Sequence, residues 1–189
     1  ETFQQAVKER GLFYPPDPAS KGSCFLGGNI AHSSGGPKAL KYGTTKDYVL
    51  NLQVVLPTGE ILWTGSDTLK NSTGYNLTQL MIGSEGTLGV VTKIVFKLLP
   101  LPKHDVLMLA KFKRIDDACE AVPKIFINGM SPSALELMEK NAVTYVEKHS
   151  GLSLNSSSEE NEIMAYLLIE VDGNDMDQLF TDCEGINEV

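Results

Sequence analysis

Cysteine is scarce and scattered in this 189-residue chain: Cys24, Cys119 and Cys183 stand far apart, with no CxxC pair and no neighbouring histidine. Such spacing supports neither a zinc site nor a disulfide framework, and a reducing, cytoplasmic setting suits three separate thiols. Positive charge is also short. Against 24 acidic residues there are 16 Lys and Arg, a formal net charge of -8, so the clustered cations that nucleic-acid binding needs are missing. No apolar run of roughly eighteen residues exists to span a membrane. The opening residues Glu1-Thr2-Phe3-Gln4 match neither a secretion signal nor a start methionine, so the chain reads as a stretch of a longer protein. Of the three histidines, His104 and His149 lie apart from each other and from any acidic cluster, which marks them as surface residues.

Glycine is what the chain has in quantity, 17 residues, and it is unevenly placed. The stretch Cys24 to Gly36, CFLGGNIAHSSGG, holds Gly27, Gly28, Gly35 and Gly36 with only small or polar residues at Asn29, Ala31, Ser33 and Ser34. A backbone so bare is able to press directly against a ligand, and its unpaired N–H groups suit one that is anionic or rich in carbonyls. Read by itself, a Gly-Gly pair is also ordinary loop punctuation. A second cluster, Gly83-Ser84-Glu85-Gly86-Thr87-Leu88-Gly89, precedes a β-rich run. Neither cluster has the GxGxxG spacing inside a βαβ unit, which excludes a Rossmann reading. Glu85, the one acid inside a cluster, suits a turn-capping role or a grip on a ribose hydroxyl.

The periodicity predicts an α+β fold. Thr2 to Arg10 is a short helix stopped by Gly11, and Leu12 to Pro18, rich in proline, is a rigid arm that neither a helix nor an inner strand accommodates. Asn29 to Ser34 is helix-like but too short to stand free. Val49 to Leu56, the turn Pro57-Thr58-Gly59-Glu60 and Ile61 to Thr64 form a hairpin. Leu77 to Ile82 is a short helix. Leu88 to Leu99 is a long strand with Val90, Thr92, Ile94 and Phe96 on one face, ended by Pro100-Leu101-Pro102, where the domain boundary falls. Beyond it, strands Val106 to Phe112, Ser133 to Met138 and Ile163 to Val171 alternate with helices Asp116 to Ile127, Glu139 to His149 and one from Asp175, while the polar run from Ser150 to Glu162 is a loop.

Taken in order, Gly22-Ser23-Cys24, the CFLGGNIAHSSGG stretch, Lys41-Tyr42-Gly43-Thr44-Thr45, the run Asn71 to Leu77 and the cluster Gly83 to Gly89 resemble the second half of the FAD-binding domain of the FAD-linked oxidase family. The branch it resembles contains glycolate oxidase, D-lactate dehydrogenase and D-2-hydroxyglutarate dehydrogenase. The resemblance is close over Gly11 to Pro102 and then fades. It implies that residues 1–102 are the C-terminal part of a vanillyl-alcohol oxidase (PCMH-type) FAD-binding domain, and that residues 103–189 are a truncated ferredoxin-like α+β substrate, or cap, domain.

By matching position, the resemblance implies non-covalent FAD held by Ser23, Cys24, Gly27, Gly28, Asn29, Ala31, Ser33, Gly35, Gly36 and Tyr42 along the flavin, and by Gly86, Gly89, Val90 and Val91 around the adenosine half. Tyr75 and Lys70 flank these small residues. His32-Ser33-Ser34 departs from the Thr or Glu followed by Asn-Ala that related sequences carry. A pyrophosphate-gripping loop is expected before Glu1, and catalytic or metal-binding histidines beyond Val189; no metal ligands are expected within. The chain alone is accordingly expected to fold but to hold FAD weakly and to lack a catalytic base. The implied activity is oxidation of a 2-hydroxy acid to a 2-oxo acid by hydride transfer to the flavin, with a quinone, cytochrome or electron-transfer protein as acceptor. A cytoplasmic location is expected, peripheral to the inner face of the membrane where the acceptor requires it. The alternatives are a flavoenzyme like UDP-N-acetylenolpyruvoylglucosamine reductase, and a non-catalytic, FAD-holding subunit of an oxidoreductase complex.

Overall fold

In the computed structural model, which describes residues 1–151 and 162–189, the chain divides into two units, Glu1–Leu101 and Pro102–Val189. The first begins with helix α1 (Thr2–Lys8), which ends before Gly11 turns the chain at φ +71°. Strand β1 (Leu12–Phe13) leads into the proline arm, which has no regular structure as far as Pro18. Helix α2 (Leu26–His32), helix α3 (Ala39–Tyr42) and a 3₁₀ turn (Thr45–Asp47) follow. The 3₁₀ turn is closed by a capping box in which the Thr44 amide donates to Asp47 Oδ2 at 2.7 Å. Strands β2 (Val49–Val55) and β3 (Ile61–Trp63) make the expected hairpin, helix α4 (Leu77–Met81) starts on an Asn76 cap, and β4 (Val90–Phe96) and β5 (Leu99–Pro100) complete the unit.

The central sheet is antiparallel in the order β3-β2-β4. Its covered face packs Leu52 and Val54, with Val49, Val91, Ile94 and Phe96, against Ile30 of α2, Met81 of α4 and Ile82 just past it. Ile30, Leu52 and Val54 are fully buried, and burial of each side chain contributes about 1.5–3 kcal/mol. The expected strand Leu88 to Leu99 is shorter, and its strict alternation fails. Gln53 pairs with Lys93 while Val54 pairs with Val91, so Thr92 is an extra residue, a β-bulge that shifts the inward set from odd positions before it to even positions after it. Val91, Ile94 and Phe96 therefore face the core, while the Thr92 hydroxyl bonds the Gln53 carbonyl at 3.2 Å. A second shift at Leu50 compensates on β2. Leu99–Pro100 leaves this sheet and pairs with Leu12–Phe13, which anchors the arm. Phe3, Tyr14 and Phe96 stack around that joint with ring centroids 4.7–5.3 Å apart.

The second unit runs β6 (His104–Phe112), α5 (Ile115–Ile127), β7 (Ala134–Glu139), α6 (Lys140–Ser150), β8 (Ala165–Gly173) and α7 (Met176–Asn187). The sheet order is β6-β8-β7, with β8 antiparallel to both neighbours, so β6 and β7 are parallel and flank it. That split βαβ arrangement is the α+β layering the alternating elements predict, in the ferredoxin-like form the resemblance implies. Leu167, Ile169 and Val171 of β8 pack on Ile125 of α5 and on Leu179 and Ile186 of α7. The polar run 154–160, read as a loop, lies outside the described residues. No helix among the described residues is long and apolar enough to cross a membrane.

Candidate functional site

The seven-residue helix α2 is too short to persist by propensity, and tertiary bonds hold it. Its buried side is anchored by Ile30, and its last carbonyls, which a helix leaves unpaired, are taken by the second glycine cluster: the Gly83 amide donates to Ile30 O and the Glu85 amide to Ala31 O, both at 3.0 Å. Ser33 ends the helix in the left-handed region at φ +51°, and Glu85 turns the cluster at φ +52°. The two glycine stretches, remote in sequence, thus form one continuous backbone surface. On it the His32 Nδ1 lies 3.9 Å from Glu85 Oε1.

The glycines separate into two groups by what a side chain would meet. At Gly27, Gly28 and Gly86 a Cβ meets nothing within 4 Å. Gly27 and Gly28 sit inside α2, where glycine costs roughly 0.5–1 kcal/mol relative to alanine, and packing within the chain gives no reason for either. Gly36, Gly89 and Gly35 have internal neighbours instead. At Gly36, φ +132°, a side chain would run into the Asp17 carbonyl of the arm; at Gly89 it would meet Val54 Cγ1 at 2.6 Å and Val55 O at 2.9 Å; Gly35 faces Ala39 and Thr44 at ordinary contact distance. These three let backbone segments pass close together.

Ser23, Cys24 and Asn29 line one groove of about 680 Å³ with Phe3, Tyr14, Pro16, Pro18 and Phe25. Asn29 is buried; its Nδ2 donates to Cys24 Sγ at 3.6 Å and its Oδ1 accepts from Ser34 Oγ at 3.4 Å. A hydrogen bond from Ser20 and, more weakly, that from Asn29 hold the Cys24 thiol below its usual pKa against the opposing effect of burial. The Ser23 hydroxyl is spent on Ser20 O at 2.9 Å. Tyr14 is almost wholly buried and its hydroxyl has no hydrogen-bond partner; burial pushes its pKa up to about 12. The Thr45 hydroxyl, which donates to Ser34 O at 2.7 Å, offsets only part of that shift without reaching hydrogen-bond geometry.

The remaining sequence-derived positions serve the surrounding frame. The Tyr42 ring packs edge-on to Phe13 at 5.4 Å and its carbonyl accepts from Tyr48 Oη at 2.6 Å. Val91 points into the core and Val90 outward, but β4 is the edge of its sheet, so main-chain groups there remain open on the side away from β2. Tyr75 and Lys70 stand exposed on the loop before α4, outside the groove lining. Sequence reasoning missed Tyr14 and Phe25 as groove walls, and it missed the Ile30 and Ala31 carbonyls as the stitches between clusters. The available signal was Ile30, the one large aliphatic residue in the middle of a glycine-rich stretch.

Comparison with known proteins assigns this arrangement to a class. The FAD binding domain family matches residues 1–65, and the C-terminal domain of FAD linked oxidases matches residues 101–189. A D-lactate dehydrogenase of Anaerostipes hadrus is 44% identical over 98% of this chain, and the glycolate oxidase protein GlcD is 43% identical over 89% in Bacillus subtilis and 40% identical over 99% in Escherichia coli K12. The chain spans 39%, 35% and 36% of those relatives, respectively. A solved structure of alkyldihydroxyacetonephosphate synthase matches 98% of this chain and 35% of its own with a TM-score of 0.78 at 22% identity, a likeness of fold. The chain belongs to the FAD-linked oxidase family, a family of FAD-dependent oxidoreductases. The relatives it is similar to include D-lactate dehydrogenases and the GlcD proteins of glycolate oxidase.

The residues present fit FAD. A large, partly planar cofactor needs bare backbone for close approach, and Gly27, Gly28 and Gly86 supply backbone that faces open space. Among the described residues no cluster of His, Cys, Asp and Glu is suited to a metal ion.

Proposed function

We propose that the full-length protein is an FAD-dependent dehydrogenase or oxidase that converts a 2-hydroxy acid of the D-lactate or glycolate kind to the 2-oxo acid. The observation that carries this reading is the pair of helix glycines, Gly27 and Gly28, kept in α2 at a cost in stability and facing open space. When bound, FAD would supply the redox chemistry, as the acceptor for hydride from the substrate carbon. This chain's own contribution is to hold the cofactor: α2 and the Gly83–Gly89 turn offer backbone at close range, and Cys24 and Asn29 offer polar side chains from the groove. Residues 1–102 serve as the C-terminal portion of the cofactor-binding domain and residues 103–189 as part of the substrate, or cap, domain.

The relatives' names support the substrate class, since they specify D-lactate and glycolate. FAD is held without a covalent bond, through the backbone contacts that the two glycine clusters offer it. Electrons pass on to a quinone, cytochrome or electron-transfer protein. We place the protein in the cytoplasm, at the inner membrane face if that acceptor is a quinone.

Purified full-length protein offered D-lactate, glycolate and other short 2-hydroxy acids without oxygen should lose its visible flavin absorbance with at least one of them, and should reduce an artificial dye in proportion. Acid precipitation should release the flavin to the supernatant. A flavin left oxidised by every 2-hydroxy acid overturns the activity, and flavin retained on the precipitate overturns non-covalent binding.

A further inference from the structure

We propose that Asn29 is a positioning residue of the groove, whose buried amide holds the Cys24 thiol in place for the cofactor and acts through that thiol. The inference rests on the reading above that FAD reaches the groove. Asn29 is 8% exposed, whereas Cys24 is half-buried, so of the two the thiol is the more open to a ligand.

A buried amide in the middle of a helix calls for a reason. Asparagine is a weak helix former, and the neighbouring Ile30 anchors α2 to the sheet without any polar group. What the Asn29 side chain does is reach both ends of the helix. Its Nδ2 donates at 3.6 Å to Sγ of Cys24, one residue ahead of the N-cap Phe25, and its Oδ1 accepts at 3.4 Å from Oγ of Ser34, one residue past the C-cap Ser33. The Ser34 end is fixed by other bonds as well. Its amide donates to the Asn29 carbonyl at 3.0 Å, and its carbonyl accepts from the amide and the hydroxyl of the fully buried Thr45 at 2.9 and 2.7 Å. The amide of Asn29 is therefore seated on a rigid side, and what it controls is the sulfur on the other. A hydrogen bond donated to sulfur favours the thiolate, so loss of that donor is readable at Cys24 itself. Glu1, Lys21 and Tyr14, the other titratable groups lining the groove, are kept in every variant below.

The test takes full-length apoprotein and follows two quantities, the pH profile of Cys24 alkylation by iodoacetamide, read by peptide mass spectrometry, and FAD affinity, read by flavin fluorescence quenching. The variants are Asn29→Asp, Asn29→Leu, Cys24→Ala and the double variant Asn29→Leu/Cys24→Ala, each compared with wild type by circular dichroism. Asn29→Asp keeps an acceptor for Ser34 but withdraws the donor from sulfur and sets a carboxylate beside it. Its alkylation midpoint should rise, and the rate at neutral pH should fall by about tenfold. Asn29→Leu and Cys24→Ala should each weaken FAD by about tenfold, and the double variant should be no worse than the weaker single one, because the two residues act through one contact. FAD bound to the wild type should slow Cys24 alkylation. An alkylation profile left unchanged by Asn29→Asp overturns the positioning role, and it decides alone where Asn29→Leu fails to fold. Fully additive losses in the double variant, or FAD binding that leaves Cys24 alkylation unaltered, overturn it too. Wild-type protein that takes up no FAD overturns the underlying reading instead, and the cofactor role of Asn29 with it.

Discussion

The Gly83 amide donates to the Ile30 carbonyl at 3.0 Å, and through this bond the second glycine cluster closes the end of α2. Ile30 thereby has two tasks. Its carbonyl receives the loop, and its side chain, fully buried between β2 and α4, fixes the helix to the sheet.

Ile30→Ala should therefore cost the first unit about 2–5 kcal/mol, the range for emptying a fully buried aliphatic site, and should reduce flavin content by loosening the helix. Urea unfolding of the full-length protein followed by fluorescence measures it. A loss below about 1 kcal/mol is incompatible with a single anchor for α2.

Tyr14 gives a prediction about alkaline pH. Its pKa is raised from 10.0 to about 12 by burial, so the unfolded chain releases this proton at lower pH than the folded one. The stabilising difference is fully present below pH 10 and is lost as pH rises from about 10 to about 12, a change on the order of 2 kcal/mol. Tyr14→Phe should flatten most of that fall. A residue of it should remain, because burial and, after it, the charge of Asp47 also raise the Tyr48 pKa. At neutral pH the same substitution removes a buried hydroxyl without a partner, so stability should be unchanged or higher by about 1 kcal/mol. Stability measured across pH 8 to 12 in both proteins checks the sign. An unchanged alkaline profile in Tyr14→Phe contradicts it.

A buried polar knot supports the loop after the hairpin. Asn51 Oδ1 accepts from the Gly65 amide at 2.8 Å and Asn51 Nδ2 donates to Asp67 Oδ1 at 2.9 Å, while Thr64 and Thr78 share a hydroxyl bond of 2.8 Å. Gly65 has no room for a side chain, since a Cβ would lie 2.7 Å from Thr78 Oγ1. Asn51→Ala strands the Gly65 amide and should cost about 1–3 kcal/mol, with loss of amide protection from Gly65 through Asp67 in hydrogen exchange. Unchanged protection would show that the loop does not depend on Asn51.

Much of this arrangement was legible in the sequence, and the parts that were not have local causes. Runs with one clear period were readable, as with the hairpin Val49–Val55 and Ile61–Trp63 and the helices from Ile115, Lys140 and Met176, because side-chain alternation and turn residues report the backbone directly. The unbroken alternation expected along β4 fails because one extra residue, Thr92, reverses a period-two pattern without altering composition. The helical span of α2 was underestimated because Gly27 and Gly28 are poor helix formers, and the bonds that overrule them come from Gly83 and Glu85, far along the chain. The two glycine clusters themselves were readable in the sequence. Which glycines serve packing and which face open space depends on Asp17, Val54 and Val55, partners that no local pattern announces.

The most direct test of the account is the flavin content of full-length Gly28→Val. The site lies inside a helix at negative φ with open space around it, and valine is no worse a helix former than glycine, so folding stability should change by less than about 0.5 kcal/mol. A branched side chain there stands where the cofactor approaches. We expect a stably folded protein, matched to wild type by circular dichroism and thermal melting, that is purified with little or no FAD. Gly28→Val that folds and retains a full complement of FAD contradicts the claim that this bare stretch of α2 faces the cofactor.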